Sequence, residues 1–386
     1  MTHASVLRKA VQTKIHFSAT SLDQLPHHLT SYSLYGHQSL IPVPDIDHSS
    51  YMLIIGGNPL ASNGSIMTSP DIPKRLKAIQ QRGGRFIVID PRRTETAEIA
   101  DQHLFIRPGT DAWLLMAMLN TLFAEDLVST GHLTDLLVGV DQVRSACASF
   151  TPELAEQRTG VAAEQIRQLA RDMASIEGAV CYGRMGVSVQ VYGTLCQWAI
   201  QMINILTSSM DVRGGMIASS PAFGFIKPGE SGAGHFAAFH SRVSGLPEFA
   251  GELPATVMAE EMLTEGEGQI RGLITTLQAT RCCRPPMAIR WTRHWPVSTL
   301  WYPLIFISMK PPGMQILFCR PPVPWSTITM IWPSIDWRCT TRRALMRLCL
   351  NPPRAPSMIG KSLMSLAWPL PPAKAWTSSL CHLQIS

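Results

Sequence analysis

Two short, uninterrupted apolar runs constrain this chain more than anything else in it. Tyr51-Met52-Leu53-Ile54-Ile55 ends in Gly56-Gly57-Asn58-Pro59, and Arg85-Phe86-Ile87-Val88-Ile89 ends in Asp90-Pro91. A short apolar run without polar alternation reads as a strand buried on both faces, the kind found in parallel sheets covered by their own crossovers. Between the two runs, Ile72, Leu76 and Ile79 recur at helical spacing until Gly83-Gly84 stops them. Strand, helix and strand in that order predict an α/β fold with a doubly wound parallel sheet. Further strands are expected at His103–Ile106, Ala179–Tyr182 and Ile270–Thr275, and helices at Asp111–Leu127, Ala162–Ala174 and Leu195–Leu206. Asp111 opposes the positive end of its helix dipole. From Ala218 to Pro254 the pattern is irregular.

Ligands of such sheets bind beyond the carboxyl ends of the strands. The candidate site therefore lies on three loops, Gly56–Asn63, Asp90–Thr94 and Pro108–Asp111. Gly56 and Gly57 permit close backbone approach to a phosphate or ring. Asp90, ending the second strand of a Rossmann-like unit, suits a sugar diol or a purine edge. Arg92 and Arg93 carry charge suited to a diphosphate. Each feature has a plainer reading, since Gly-Asn-Pro is a common turn and an aspartate at a strand end is often a helix cap. There is no G-x-G-x-x-G and no Walker A sequence. Three such loops after three successive strands point to a ligand containing a nucleotide.

Those loops also carry a resemblance. Leu53-Ile54-Ile55-Gly56-Gly57-Asn58-Pro59, then Val88-Ile89-Asp90-Pro91-Arg92-Arg93-Thr94-Glu95-Thr96-Ala97, then Ile106-Arg107-Pro108-Gly109-Thr110-Asp111 resemble the molybdopterin oxidoreductases, the family of formate dehydrogenase, nitrate reductase and dimethyl sulfoxide reductase. The resemblance spans roughly residues 5–276. It implies a molybdenum bis(molybdopterin guanine dinucleotide) cofactor. Its nucleotide would lie on Gly56, Gly57, Asn58, Pro59, Asp90, Pro91, Arg92, Thr94, Pro108, Gly109 and Asp111. Tyr182-Gly183-Arg184-Met185-Gly186, with Gly193 beyond, resembles a further cofactor-contacting segment, which adds Met185 and Gly186. The family's 4Fe-4S domain begins with a C-x-x-C-type cluster, and this sequence contains none. A Ser, Cys or selenocysteine ligand to molybdenum is expected upstream of Met1. Cys147, Cys181 and Cys196 match no family ligand position and read as buried thiols in a reducing compartment.

Composition enters at residue 277. Residues 1–276 hold 20 of the 33 Lys and Arg and 26 of the 27 acids, whereas residues 277–386 hold 13 bases and one acid, Asp336. The same tail contains 16 of 29 Pro, eight of ten Trp and six of nine Cys. Its cysteines form no C-x-x-C pair, and Trp301–Met309 is too short to span a bilayer. Back-translation read from the third base of each codon accounts for this break. Met287–Thr292 then yields Gly-Asn-Pro-Leu-Asp with its Gly and Asp forced. Ser308–Ile316 permits NETTRHAD with its E and A forced, and Trp325–Trp332 permits EHDHYDL. These are strings the family uses after the Ile274-Thr275-Thr276 strand, in the family's order. The tail is thus expected to be out-of-frame translation without a native fold, interrupted by proline pairs such as Pro311-Pro312.

Three segments result: a dinucleotide-binding domain over 1–177, part of a second αβα cofactor domain over 178–276, and the tail over 277–386. The function implied is a fragment of a molybdopterin-dependent oxidoreductase, inactive as this chain. The alternatives are a stand-alone nucleotide-binding module or a structural subunit. No nucleic-acid or membrane partner is indicated, and the absence of a secretory apolar region after Met1 implies a cytoplasmic location. His27, His28 and His37 read as partly exposed loop histidines, and Asn63-Gly64-Ser65 as a turn.

Overall fold

The computed structural model describes residues 13, 15–67, 69–218 and 234–270, and the backbone of 272–276, 304–310 and 313–318. These fall into two compact units, one spanning Asp23–Gly234 and the other comprising residues up to Leu22 together with those from His235.

In the unit spanning Asp23–Gly234, α1 (Leu25–Tyr35) precedes β1 (Pro42–Pro44) and β2 (Tyr51–Ile55). Next come α2 (Pro59–Ser62), α3 (Ile72–Gln81), β3 (Arg85–Ile89), α4 (Glu95–Glu98) and β4 (Gln102–Leu104). Helices α5 (Asp111–Ala124), α6 (Val140–Cys147), α7 (Pro152–Thr159) and α8 (Ala163–Ser175) follow. The unit closes with β5 (Ala179–Gly183), α9 (Met185–Ser188), α10 (Gly193–Leu206) and β6 (Met216–Ala218).

Four of these strands form one parallel sheet in the order β4-β3-β2-β5. The two apolar runs are its neighbouring centre: Leu53 lies opposite Ile87 on one side and Cys181 on the other. Every residue of β2 is buried, as expected for a strand covered on both faces. Helix α3 packs on β3, α8 and α10 pack on β5, and α5 packs against α7, α8 and α10. The last arrangement explains why α5 is apolar nearly all round, from Ala112 through Leu122. Strand order runs outward from β2 to β4 and then reverses to put β5 on the other side of β2. The chain reverses between β2 and β5, so a crevice opens there at the carboxyl ends of those strands.

A polar residue finishes the sheet edge. Strand β5 has no strand neighbour beyond it in this sheet, and Asn204 of α10 takes that place. Its Oδ1 accepts the Cys181 N–H at 2.9 Å, and its Nδ2 donates to the carbonyls of Cys181 at 2.8 Å and Ile200 at 2.9 Å. Asn204 is fully buried, so these bonds replace water that the edge cannot reach.

Several elements depart from the sequence-based expectation. The third strand is Gln102–Leu104 rather than His103–Ile106, because Ile106 already turns towards the core while Phe105 is 62% exposed. Helix α1 has no counterpart in the sequence reading, since Leu25-Pro26-His27-His28-Leu29-Thr30-Ser31 lacks an apolar period. Strand β5, just past residue 177, pairs directly with β2 within this unit. Cys147, Cys181 and Cys196 are buried and unpaired, as expected, and burial pushes the Cys147 thiol up to about 11.

In the other unit, β7 (Phe236–His240) and β8 (Pro247–Phe249) form an antiparallel pair inside the stretch expected to be irregular. Helix α11 (Met258–Leu263) leads to β9 (Gly272–Thr276), close to the expected Ile270–Thr275. Two tail segments, β10 (Leu304–Lys310) and β11 (Gly313–Phe318), then pair in the antiparallel order β11-β10-β9. These two strands lie within the segment expected to have no native fold. Leu304-Ile305-Phe306-Ile307 is a proline-free run of strand formers, and Pro311-Pro312 falls between the two strands rather than within either. The rest of the tail lies outside the described residues, as does Gly229–Gly232.

Replacing Asn204 by Leu leaves the Cys181 N–H and C=O buried without partners. Urea denaturation of Asn204→Leu is expected to show a loss of about 2–4 kcal/mol, with an unchanged oxidation state of Cys181.

Candidate functional site

At the carboxyl edge of the parallel sheet, the expected loops line a ring: hydrogen bonds tie the first to the second and the third to the segment after β5, and the Asp90 charge acts across to Asp111. The ring's tightest point is the meeting of Gly56, after β2, with Gly186, after β5. The Gly186 N–H donates to the Gly56 carbonyl at 2.8 Å, and the Arg184 N–H donates to Ile55 at 3.1 Å. A Cβ on Gly56 would fall 2.7 Å from the backbone nitrogen of Val187, and one on Gly186 would fall 2.6 Å from the Gly56 Cα. Gly56 also has φ +57°, so no other residue suits it.

The first loop is tied to the second through side chains. Asn58 Nδ2 donates to Glu95 Oε2 at 2.6 Å, and the Thr96 hydroxyl donates to Asn58 Oδ1 at 2.7 Å. Its own backbone hydrogen bond, then the Asn58 amide and then Arg92, hold Glu95 below the usual carboxylate range. Thr94 is buried and caps α4, its hydroxyl accepting from the Ala97 N–H at 3.1 Å. Pro59 opens α2 and is buried against the core. Arg92 is exposed and lies 3.5 Å from Glu95, while its N–H donates to Asp90 Oδ1 at 2.8 Å. Pro91 and Arg93 are exposed beside it.

The third loop closes the ring. Pro108 and Gly109 are exposed, with Gly109 at φ +78° and nothing near its α-carbon face. Asp111 is only 5% exposed at the start of α5, and Gln190 Nε2 donates to its Oδ2 at 2.9 Å. Burial raises the Asp111 carboxyl, and the charge of nearby Asp90 raises it further. Gln190 follows α9, four residues beyond Gly186, which brings the contacts back to the starting glycine. Asp90 thus lies close enough to Asp111 for its charge to act there, and Met185, beside Gly186, is 41% exposed.

Sequence reasoning named the segment Tyr182–Gly186 but passed over Arg184, Gln190 and His27. Arg184 directly follows β5, a position legible in hindsight as a strand's carboxyl end. His27 corrects an expectation: it is not on an exposed loop but in α1, at 6% exposure. Its Nε2 faces the Gly183 carbonyl at 3.1 Å and so carries the proton, which leaves Nδ1 to accept from the Ser188 hydroxyl at 3.3 Å. Gln197 Nε2 donates to the same Ser188 oxygen at 3.0 Å. His27 therefore clamps the β5–α9 turn from behind. Asn63-Gly64-Ser65 is a turn as expected, all three residues having positive φ.

Among the described residues no group of three or more His, Cys, Asp or Glu side chains is placed to hold a metal. What this edge brings together is the Gly56–Gly186 contact, the carboxylates of Asp90 and Asp111, and the Arg184 guanidinium. The chain matches the molybdopterin oxidoreductase family model over residues 4–279, and it belongs to that family.

Its relatives include formate dehydrogenase H of Escherichia coli, 30% identical over 168 residues, covering 44% of this chain and 23% of that protein. The dimethyl sulfoxide reductase of the same organism is 31% identical over 192 residues, covering 44% and 23% respectively. The assimilatory nitrate reductase catalytic subunit of Bacillus subtilis is 30% identical over 153 residues, covering 40% and 21%. The chain therefore spans about a quarter or less of these relatives' length. Among solved structures, acetylene hydratase from Pelobacter acetylenicus is similar with a TM-score of 0.46 and 25% identity, over 53% of this chain and 27% of that one. Among the described residues, no helix is long and apolar enough to cross a membrane.

The clamp predicts a pH dependence. Burial, the largest cause, pulls His27 from 6.5 down to about 4, against the Gly183 bond that raises it. The folded state thus binds fewer protons than the unfolded state between those values, and stability falls as pH drops through that window. Denaturation of the wild type should lose about 3 kcal/mol more than His27→Gln between pH 6.5 and 4. Parallel curves for the two proteins would remove the clamp.

Proposed function

We propose that this chain binds the guanosine diphosphate end of a molybdopterin guanine dinucleotide in the ring at the sheet's carboxyl edge. The observation that supports the reading is the linkage of the strand-end loops: Asn58 to Glu95 and Thr96, Gly186 to Gly56, and Asp111 to Gln190, with the Asp90 charge acting on Asp111. One feature fits such a group: a buried guanidinium nitrogen of Arg184 without a hydrogen-bond partner, on the residue that stands against Gly57.

When bound, the group supplies the molybdenum centre at which the family's redox chemistry takes place. The residues of this chain do the holding. Asp90 and Asp111 accept hydrogen bonds from the guanine edge and the ribose diol, and donors placed there offset the burial, and after it the Asp90 charge, that raise Asp111. Gly57 lets the ligand approach the backbone, while Gly56 and Gly186 hold the two turns together. Asn58, Pro59, Pro91, Thr94, Pro108 and Gly109 shape the loops, and Arg92 and Met185 border the opening.

Residues 277–386 are proposed to be out-of-frame translation. The family match supports this, since it ends at residue 279, beside the compositional break at 277. This chain by itself is proposed to sustain no molybdenum-dependent turnover, because its sequence offers no C-x-x-C set for an iron-sulfur cluster and no residue matching the family's metal ligand.

Equilibrium binding to the purified chain is expected to favour GDP over ADP, with Asp111→Asn weakening GDP about tenfold. Equal affinity for the two nucleotides, or none for either, would overturn the reading. A dye-linked assay of the same chain after loading with molybdenum cofactor is expected to give no turnover.

A further inference from the structure

The sequence directs attention to Arg92 and Arg93 for a diphosphate, but the structure points to another cation. Arg92 carries a side chain 66% exposed, beside the Glu95 carboxylate at 3.5 Å, and Arg93 is exposed too. An exposed guanidinium shared with a carboxylate contributes little to holding an anion. Arg184 differs on both counts. It is half-buried, and no ion pair among the described residues involves it. Its Nε donates to Ser65 Oγ at 2.5 Å, which fixes the plane of the guanidinium. Its Nη1 is buried and has no hydrogen-bond partner.

A guanidinium stays charged at any physiological pH, and a buried N–H donor left empty is costly. Such a nitrogen is accounted for by an acceptor arriving with the ligand. The position agrees. Arg184 is the first residue after β5, at the point where strand order reverses, and its N–H is bonded to Ile55 at the end of β2. A Cβ on Gly57 would lie 3.3 Å from the Cβ of Arg184, so the arginine stands directly against the glycine turn.

We propose that Arg184 is the anion-binding residue of this site, with its guanidinium, oriented by Ser65, taking the diphosphate of a nucleoside diphosphate. The two sides of the site then divide the ligand, with carboxylates for base and sugar and the cation for phosphate. This rests on the nucleotide reading above, and the test separates the two.

Isothermal titration of the full chain with GDP and with guanosine measures the increment due to the diphosphate. The wild type is expected to bind GDP more tightly than guanosine. Arg184→Gln should lower GDP affinity about tenfold to a hundredfold, to near the guanosine level, without changing guanosine binding. Ser65→Ala should give a smaller loss in the same direction, and Arg184→Lys should retain part of the increment. The wild-type increment should shrink with added salt while guanosine binding does not.

Wild-type GDP affinity in Arg184→Gln, or loss of the increment in Arg92→Gln instead, overturns the assignment and leaves the nucleotide reading standing. Equal loss of GDP and guanosine binding overturns it in favour of a structural role. If Arg184→Gln does not fold, an unchanged increment in both Ser65→Ala and Arg184→Lys overturns it. A wild type that binds neither compound overturns the nucleotide reading and this assignment together.

Discussion

The backbone-to-backbone contact between Gly56 and Gly186 is the constraint on which the rest of the site depends. Parallel strands pair at a fixed spacing, so the chain segments leaving β2 and β5 start side by side. Whether they stay side by side is decided by the residues at the exit. With no Cβ on either glycine, the Gly186 N–H reaches the Gly56 carbonyl, and the two turns run on as one surface. Any larger residue at either place forces the turns apart. That movement carries Arg184 away from Gly57 and Gln190 away from Asp111, because both lie within four residues of Gly186.

Support for that contact comes from behind it rather than from the site. Asn204 completes the hydrogen bonding of β5 at Cys181, and the neutral His27 ring holds Gly183 and Ser188 on either side of Arg184. Both are polar groups in an apolar setting, and each replaces water with a fixed partner. A buried network of this kind stabilises one arrangement only when every member is satisfied. Arg184 Nη1 is left without a partner there, as are the buried Tyr182 hydroxyl and Gln190 Oε1, whereas Arg184 Nε is bonded. The unpaired donor sits on a turn held from behind by His27, where a ligand group finds it pre-oriented.

The sheet was legible because its signal is one-dimensional. Five consecutive apolar residues at Tyr51–Ile55 and the run at Phe86–Ile89 specify double burial without reference to anything distant, and Gly83-Gly84 marks where α3 must stop. The three loops were legible for the same reason, since each follows a strand end. His27 and Asn204 were not. A histidine in a segment without apolar period looks exposed, and only the arrival of Gly183 and Ser188 from residues far along the chain makes it buried and neutral. Arg184 was overlooked for a related reason. Two adjacent arginines at 92 and 93 look like more charge than one at 184, but charge in a sequence says nothing about desolvation, and desolvation decides how strongly a cation holds an anion.

The strands β10 and β11 do not conflict with the proposal that residues 277–386 are out of frame. A strand edge with unpaired N–H and C=O groups is a template that accepts any chain able to extend beside it. Strand β9 offers such an edge, and Leu304-Ile305-Phe306-Ile307 meets the requirement through residue type alone. A base shift does not abolish runs of that kind, because codons with a central thymine encode Leu, Ile, Val, Phe and Met whatever the original message was. What a shift does abolish is agreement between levels: apolar period, charge balance and turn chemistry cease to support one another. Residues 304–318 keep the first of these over a short stretch, while the surrounding tail keeps one acid against 13 bases. Pairing of β9 with β10 is therefore compatible with out-of-frame translation and does not by itself restore the family's second domain.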